Sequence, residues 1–106
     1  MWILQSSKPT VLFRIQPGSV KTIGRAPRAD FILEAPLVSR LHCRVEAAAD
    51  GIEIIDLKST NGTFVNDKRV PRAKLGAGDQ FRIGRVELTV TKAENGETSD
   101  EKEPNA

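Results

Sequence analysis

The amino-acid sequence predicts an all-β domain, a sandwich or a barrel. Three observations support this. Apolar and polar residues alternate over short runs, turn residues break the chain roughly every 8–12 residues, and no window sustains the 3.6-residue period of an amphipathic helix. Trp2-Ile3-Leu4 and Val11-Leu12-Phe13-Arg14-Ile15 flank a Ser-Ser-Lys-Pro turn at residues 6–9, and Pro17-Gly18 closes the second run. Val20-Lys21-Thr22-Ile23 alternates, and Phe31-Ile32-Leu33 is a short apolar strand. Leu41, Cys43 and Val45 alternate with His42, Arg44 and Glu46 as a half-buried strand does. Ala49-Asp50-Gly51 is a hairpin signal leading into residues 52–57. Thr63-Phe64-Val65, Arg69-Val70, Gln80-Phe81-Arg82-Ile83 and Val86-Glu87-Leu88-Thr89-Val90 follow, separated by turns at Asn66-Asp67 and Gly76-Ala77-Gly78-Asp79.

The 106 residues suffice for one domain, expected over residues 1–92. Residues 93–106 contain no large apolar side chain that could offset the entropy of ordering, and read as an acidic disordered tail or linker. The charge divides along the same line: residues 1–92 carry 15 Lys and Arg against 9 Asp and Glu, whereas the tail carries one Lys against five acids. A basic body favours anionic partners. The N-terminal segment lacks the basic region of a secretory signal, and no stretch approaches the ~20 apolar residues of a membrane helix, so no membrane partner is expected. The expected location is the cytoplasm, or the nucleus in a eukaryote. The lone Cys43 has no partner for a disulfide, and one His with one Cys makes no metal site, so neither a metal nor another cofactor is expected.

Three polar clusters interrupt the strand-like sequence: Gly24-Arg25, Ser39-Arg40-Leu41-His42 and Ser59-Thr60-Asn61-Gly62-Thr63. All fall at strand ends or in loops, where a sandwich can gather them at one edge. Arg25 offers a planar fork of donors that matches two oxygens of a phosphate, and Gly24 leaves room for another backbone to approach. Ser39 can bind a tetrahedral anion through its hydroxyl, with Arg40 adding charge. Asn61-Gly62 is a tight-turn signal that presents the Thr60 hydroxyl and the Asn61 amide. An amide can both donate to and accept from an extended peptide backbone. His42 reads as a ring hydrogen-bonded between loops. Donors abound here, but nothing is assembled to break a bond.

Two other functions are weaker on the residues. Ser39, His42 and Asp56 could be drawn as a hydrolase triad, but Ser39 is not in a Gly-x-Ser-x-Gly elbow. Strand alternation near residue 42 would also tend to send Ser39 and His42 to opposite faces. Nucleic-acid binding by the basic body lacks support, because the chain has no Tyr, four Phe and no run of Lys or Arg to make a stacking platform.

Taken in order, Gly24-Arg25, Ser39-Arg40-x-His42 and Ser59-Thr60-Asn61-Gly62-Thr63-Phe64-Val65-Asn66 resemble the forkhead-associated (FHA) domain. Asp30 with Phe31-Ile32-Leu33, Asp56-Leu57, Leu75-Gly76-x-Gly78-Asp79 and Phe81-x-Ile83-Gly84 extend the resemblance over roughly residues 1–91. It implies a single β-sandwich of about eleven mostly antiparallel strands, with recognition loops at one edge. It also implies a non-catalytic module that binds phosphothreonine in an extended segment of a partner protein, downstream of a Ser/Thr protein kinase.

By matched position, Arg25, Ser39 and Thr60 would contact phosphate, Arg40 phosphate or peptide, and Asn61 the peptide main chain. Gly24, His42 and Gly62 would be architectural. The family's preference for phosphothreonine is ascribed to a hollow for the γ-methyl. Burying one methyl is worth only about 0.8 kcal/mol, so the stiffer β-branched side chain should contribute as well. Flanking specificity would lie in residues 26–29, 35–38 and 66–68. In the tail, Thr98 stands among acids, and its phosphorylation would let the tail occupy its own or a neighbouring domain.

Overall fold

The alternation read from the sequence becomes two β-sheets packed face to face in a computed structural model that describes residues 1–93; Thr98 lies outside them. The strands are β1 (Trp2–Ser7), β2 (Thr10–Ile15), β3 (Val20–Gly24), β4 (Phe31–Ile32), β5 (Cys43–Ala47), β6 (Ile52–Asp56), β7 (Thr63–Val65), β8 (Lys68–Arg69), β9 (Arg72–Leu75), β10 (Gln80–Ile83) and β11 (Val86–Lys92). One sheet has the order β2-β1-β11-β10-β7-β8, the other β4-β3-β5-β6-β9. The pairings are antiparallel except for β3 with β4, which runs parallel. This is the expected sandwich rather than a barrel.

Burial follows the pleat. Cys43, Val45 and Ala47 of β5 face inward while Arg44 and Glu46 face outward, and Val86, Leu88 and Val90 of β11 meet them from the opposite sheet as part of one core. Trp2 is buried and its indole N–H donates to the Ala48 carbonyl at 2.7 Å, joining the sheets at the end away from the polar clusters. At one side the rings of Phe13 (β2) and Phe31 (β4) stack with centroids 4.7 Å apart, tying together the edge strands of the two sheets.

Several details differ from the sequence reading, among them the start of β5 at Cys43 rather than Leu41. The first turn is narrower than expected, since Ser6 and Ser7 belong to β1 and only Lys8-Pro9 turn. Leu33 leaves β4 but stays in register, fully buried, with its N–H on the Gly24 carbonyl at 2.8 Å. The eighth strand is Lys68–Arg69, one residue earlier than the alternation suggested, and Val70 lies beyond it with its N–H on Thr63. β9 was not anticipated. It completes the second sheet beside β6, with Arg72 paired to Glu53 at 2.7 Å.

Candidate functional site

The three clusters converge because three connections leave the sandwich at one end: β3 to β4, β4 to β5, and β6 to β7. Backbone hydrogen bonds lace the first two together. Arg25 N–H donates to the Ser39 carbonyl and Ala26 N–H to the Arg40 carbonyl, both at 3.0 Å. The lacing is so close that a Cβ on Gly24 would stand 1.9 Å from the Arg40 carbonyl oxygen and 2.8 Å from Leu41 Cα. These are backbone atoms that cannot swing aside, so only glycine fits. The requirement here is space, not a left-handed conformation.

The third connection is held by Asp56 at the end of β6. Its Oδ1 accepts from the hydroxyls of Ser59 and Thr63, and its Oδ2 from the Ser59 N–H at 3.1 Å. Burial works to raise the Asp56 pKa, but these hydrogen bonds outweigh it and hold the carboxyl below its ordinary value. Ser59 Oγ in turn accepts from the Gly62 N–H at 3.0 Å, closing the turn, where Gly62 has φ +91°. Arg69 from β8 donates to the Ser59 carbonyl at 3.2 Å.

His42 joins two of the connections. It is fully buried, accepts the Ser39 N–H at Nδ1 (3.0 Å), and lies 2.9 Å from the Gly62 carbonyl through Nε2. A carbonyl can only accept, so the ring is the neutral tautomer protonated at Nε2. Burial lowers its pKa, and the Gly62 carbonyl only partly offsets that. Both ring nitrogens are committed to backbone groups, which leaves none to take a proton from Ser39. The expectation that strand alternation separates the two residues is corrected: residues 39–42 form a turn before β5, and it is the ring's own bonds that rule out a triad. Burial also pushes the Cys43 thiol well up, so it is no nucleophile.

Arg25, Ser39, Thr60 and Asn61 line one open cleft of about 690 Å³, together with Glu34 and residues 35–38. Arg25 donates through Nε to the Val38 carbonyl at 3.0 Å, which fixes the plane of the guanidinium and leaves its two terminal nitrogens without partners among the described residues. The Ser39 hydroxyl accepts the Thr60 N–H at 3.1 Å and keeps its own proton to donate. Asn61 donates to the Leu37 carbonyl at 3.1 Å, leaving the amide oxygen and one N–H for another chain. Arg40 does not line this cleft. It borders an adjacent hollow with Arg25, Ala26, Pro27 and Arg28. Residues 66 and 67 border a third, separate hollow with Phe64 and Arg82.

The sequence reading missed the Val38 and Leu37 carbonyls that brace Arg25 and Asn61, because a backbone acceptor leaves no mark in residue type. It also missed Arg69 and the Asp56–Ser59–Thr63 network, although Asp three residues before Ser is a local signal for a side chain that holds a turn.

The family model for the FHA domain matches residues 21–84, more than half of the chain. This chain is an FHA domain. It is 43% identical over 74 residues to the ABC transporter ATP-binding/permease protein Rv1747 of Mycobacterium tuberculosis, covering 70% of this chain and 8% of that protein. It is 34% identical over 70 residues to the glycogen accumulation regulator GarA of Mycobacterium tuberculosis, covering 66% and 43%. A solved FHA domain, studied for phosphothreonine-dependent interactions, superposes with a TM-score of 0.78 at 33% identity, covering 86% of this chain and 95% of that one. The matched segments span less than half the length of either curated relative.

Proposed function

We propose that this FHA domain binds phosphothreonine in an extended segment of a partner protein and leaves the phosphate in place. It would thus act as a phosphorylation-dependent adaptor downstream of a Ser/Thr protein kinase. One observation carries the reading: Arg25, Ser39 and Thr60, distant in sequence, present free donors to a single cleft whose rim carries the Asn61 amide. A phosphate dianion has three acceptor oxygens, and each charge-assisted hydrogen bond contributes roughly 1.5–3 kcal/mol. Arg25 would take two oxygens in fork geometry, Ser39 and Thr60 would donate from their hydroxyls, and Asn61 would bond the peptide main chain. Gly24, His42 and Gly62 hold the loops. Arg40 acts from the neighbouring hollow, where long-range charge rather than a shared hydrogen-bond site is its contribution.

The likeness to an FHA domain with phosphothreonine-dependent interactions supports the ligand class. We assign binding to residues 1–92 and treat residues 93–106 as a linker or tail. The cytoplasm, where ATP-dependent kinases work, is the fitting compartment. The test is an oriented phosphothreonine peptide library screened against the wild type and Arg25→Ala. Selection of phosphothreonine by the wild type alone is expected, and equal selection by both proteins would overturn the reading.

A further inference from the structure

The hollow beside the cleft is lined by three guanidinium-bearing residues, Arg25, Arg28 and Arg40, with Ala26 and Pro27, and measures about 520 Å³. No acid lines it. The ion pairs among the described residues are Arg44–Glu46 and Arg72–Glu53, neither of which reaches this cluster. Asp30, two residues from Arg28, is turned away: its Oδ2 accepts the Thr22 N–H at 2.9 Å and the Thr22 hydroxyl at 3.2 Å.

The backbone under the three arginines is tied before any ligand arrives. Ala26 N–H donates to the Arg40 carbonyl, and Ala29 N–H closes the Pro27-Arg28 turn on the Ala26 carbonyl, both at 3.0 Å, with Ala29 buried. Three like charges on a tied frame repel one another, and an anion placed among them relieves that repulsion. The arrangement is polar across the site, since the cleft is bordered by Glu34 and the hollow by Arg28 and Arg40.

We propose that this hollow is a second anion subsite, which takes a phosphoryl or carboxylate group borne by the same peptide close to its phosphothreonine. The proposal rests on the reading of the cleft given above. Arg25 borders both spaces, so the two anions would be near neighbours. An extended chain advances about 3.3 Å per residue, so separations of one to three residues place the second group within reach.

The experiment is calorimetry on the full chain with three peptide sets in a neutral background. One carries a single phosphothreonine, one a second phosphothreonine one to three positions away on either side, and one Glu at those same positions. A second anion on one side is expected to raise affinity about tenfold. Arg28→Ala should remove that gain while binding the singly phosphorylated peptide within about twofold of the wild type. A gain with Glu as well as phosphate makes a carboxylate sufficient, and a gain with phosphate alone makes the dianion the ligand. No gain on either side, or a gain that survives Arg28→Ala, overturns the subsite while leaving the cleft intact. Failure of the wild type to bind the singly phosphorylated peptide overturns both.

Discussion

The backbone N–H of Thr60 donates to the side-chain oxygen of Ser39 across 3.1 Å, joining two connections that lie 21 residues apart in the chain. One hydroxyl thereby accepts from within the protein, lines the cleft and keeps its own proton to donate. Preorganisation of this kind spares a ligand the entropy of assembling its own site.

Ser39→Ala removes the acceptor for Thr60 and, on the proposed reading of the cleft, a donor to the phosphate. Thr60 is exposed, so water can replace the lost acceptor. Stability should therefore change by less than about 1 kcal/mol while affinity for a phosphothreonine peptide falls about tenfold or more. Urea denaturation and calorimetry on the same preparation check both halves.

His42→Ala should divide the other way. It strips partners from the half-buried Ser39 N–H and the buried Gly62 carbonyl and empties a fully buried ring site, and an unpaired buried polar group alone costs about 1–3 kcal/mol. A stability loss of about 2–5 kcal/mol in urea denaturation is expected, with weaker binding as a consequence of the displaced Ser39. Unchanged stability with lost binding would instead make His42 a direct contact.

The same ring sets a pH dependence. Burial depresses the folded pKa of His42 below the ordinary 6.5. As pH falls through 6.5 the unfolded chain takes up a proton that the folded ring refuses, so stability falls until pH reaches the lower folded value. Denaturation between pH 7.5 and about 5 should show this slope in the wild type and not in His42→Gln. A rise in stability on acidification would contradict the neutral tautomer. Asp56, held low by its hydrogen bonds, adds a separate loss at more acid pH, as its carboxyl is protonated.

Gly24→Ala tests the close backbone approach. The new methyl would overlap the Arg40 carbonyl, so β3 and the segment before β5 must separate. A loss of about 3 kcal/mol or more is expected, with the Arg25–Ser39 lacing broken and peptide binding lost alongside. A thermal melt unchanged from wild type would show that the loops part without cost.

Much of the sandwich is legible in sequence because β5, β10 and β11 carry apolar residues at every second position, and burial alone dictates that pattern. β9 escapes because Arg72-Ala73-Lys74-Leu75 has no β-branched or aromatic residue, although its alternation is real. β4 is two residues long and parallel to β3 at a sheet edge, a pairing that no local signal encodes. At the site, Arg25, Ser39, Thr60 and Asn61 stand out by side-chain chemistry. The separation of Arg40 from Ser39 could not be read, because adjacent residues in a turn diverge by backbone geometry. Nor could the bracing carbonyls of Leu37 and Val38, which belong to every residue type alike.

The most direct test of the central assignment is calorimetry of one phosphothreonine peptide and its unphosphorylated twin against the wild type and Arg25→Ala. The Arg25 side chain is exposed and makes one hydrogen bond to the fold, to the Val38 carbonyl, while its backbone N–H bond to Ser39 survives the substitution, so the variant should melt as the wild type does. The expected result is phosphate-dependent binding by the wild type and a loss of about tenfold or more in the variant, with the unphosphorylated peptide bound by neither. Equal affinity of wild type and Arg25→Ala for the phosphorylated peptide would contradict the assignment of this cleft.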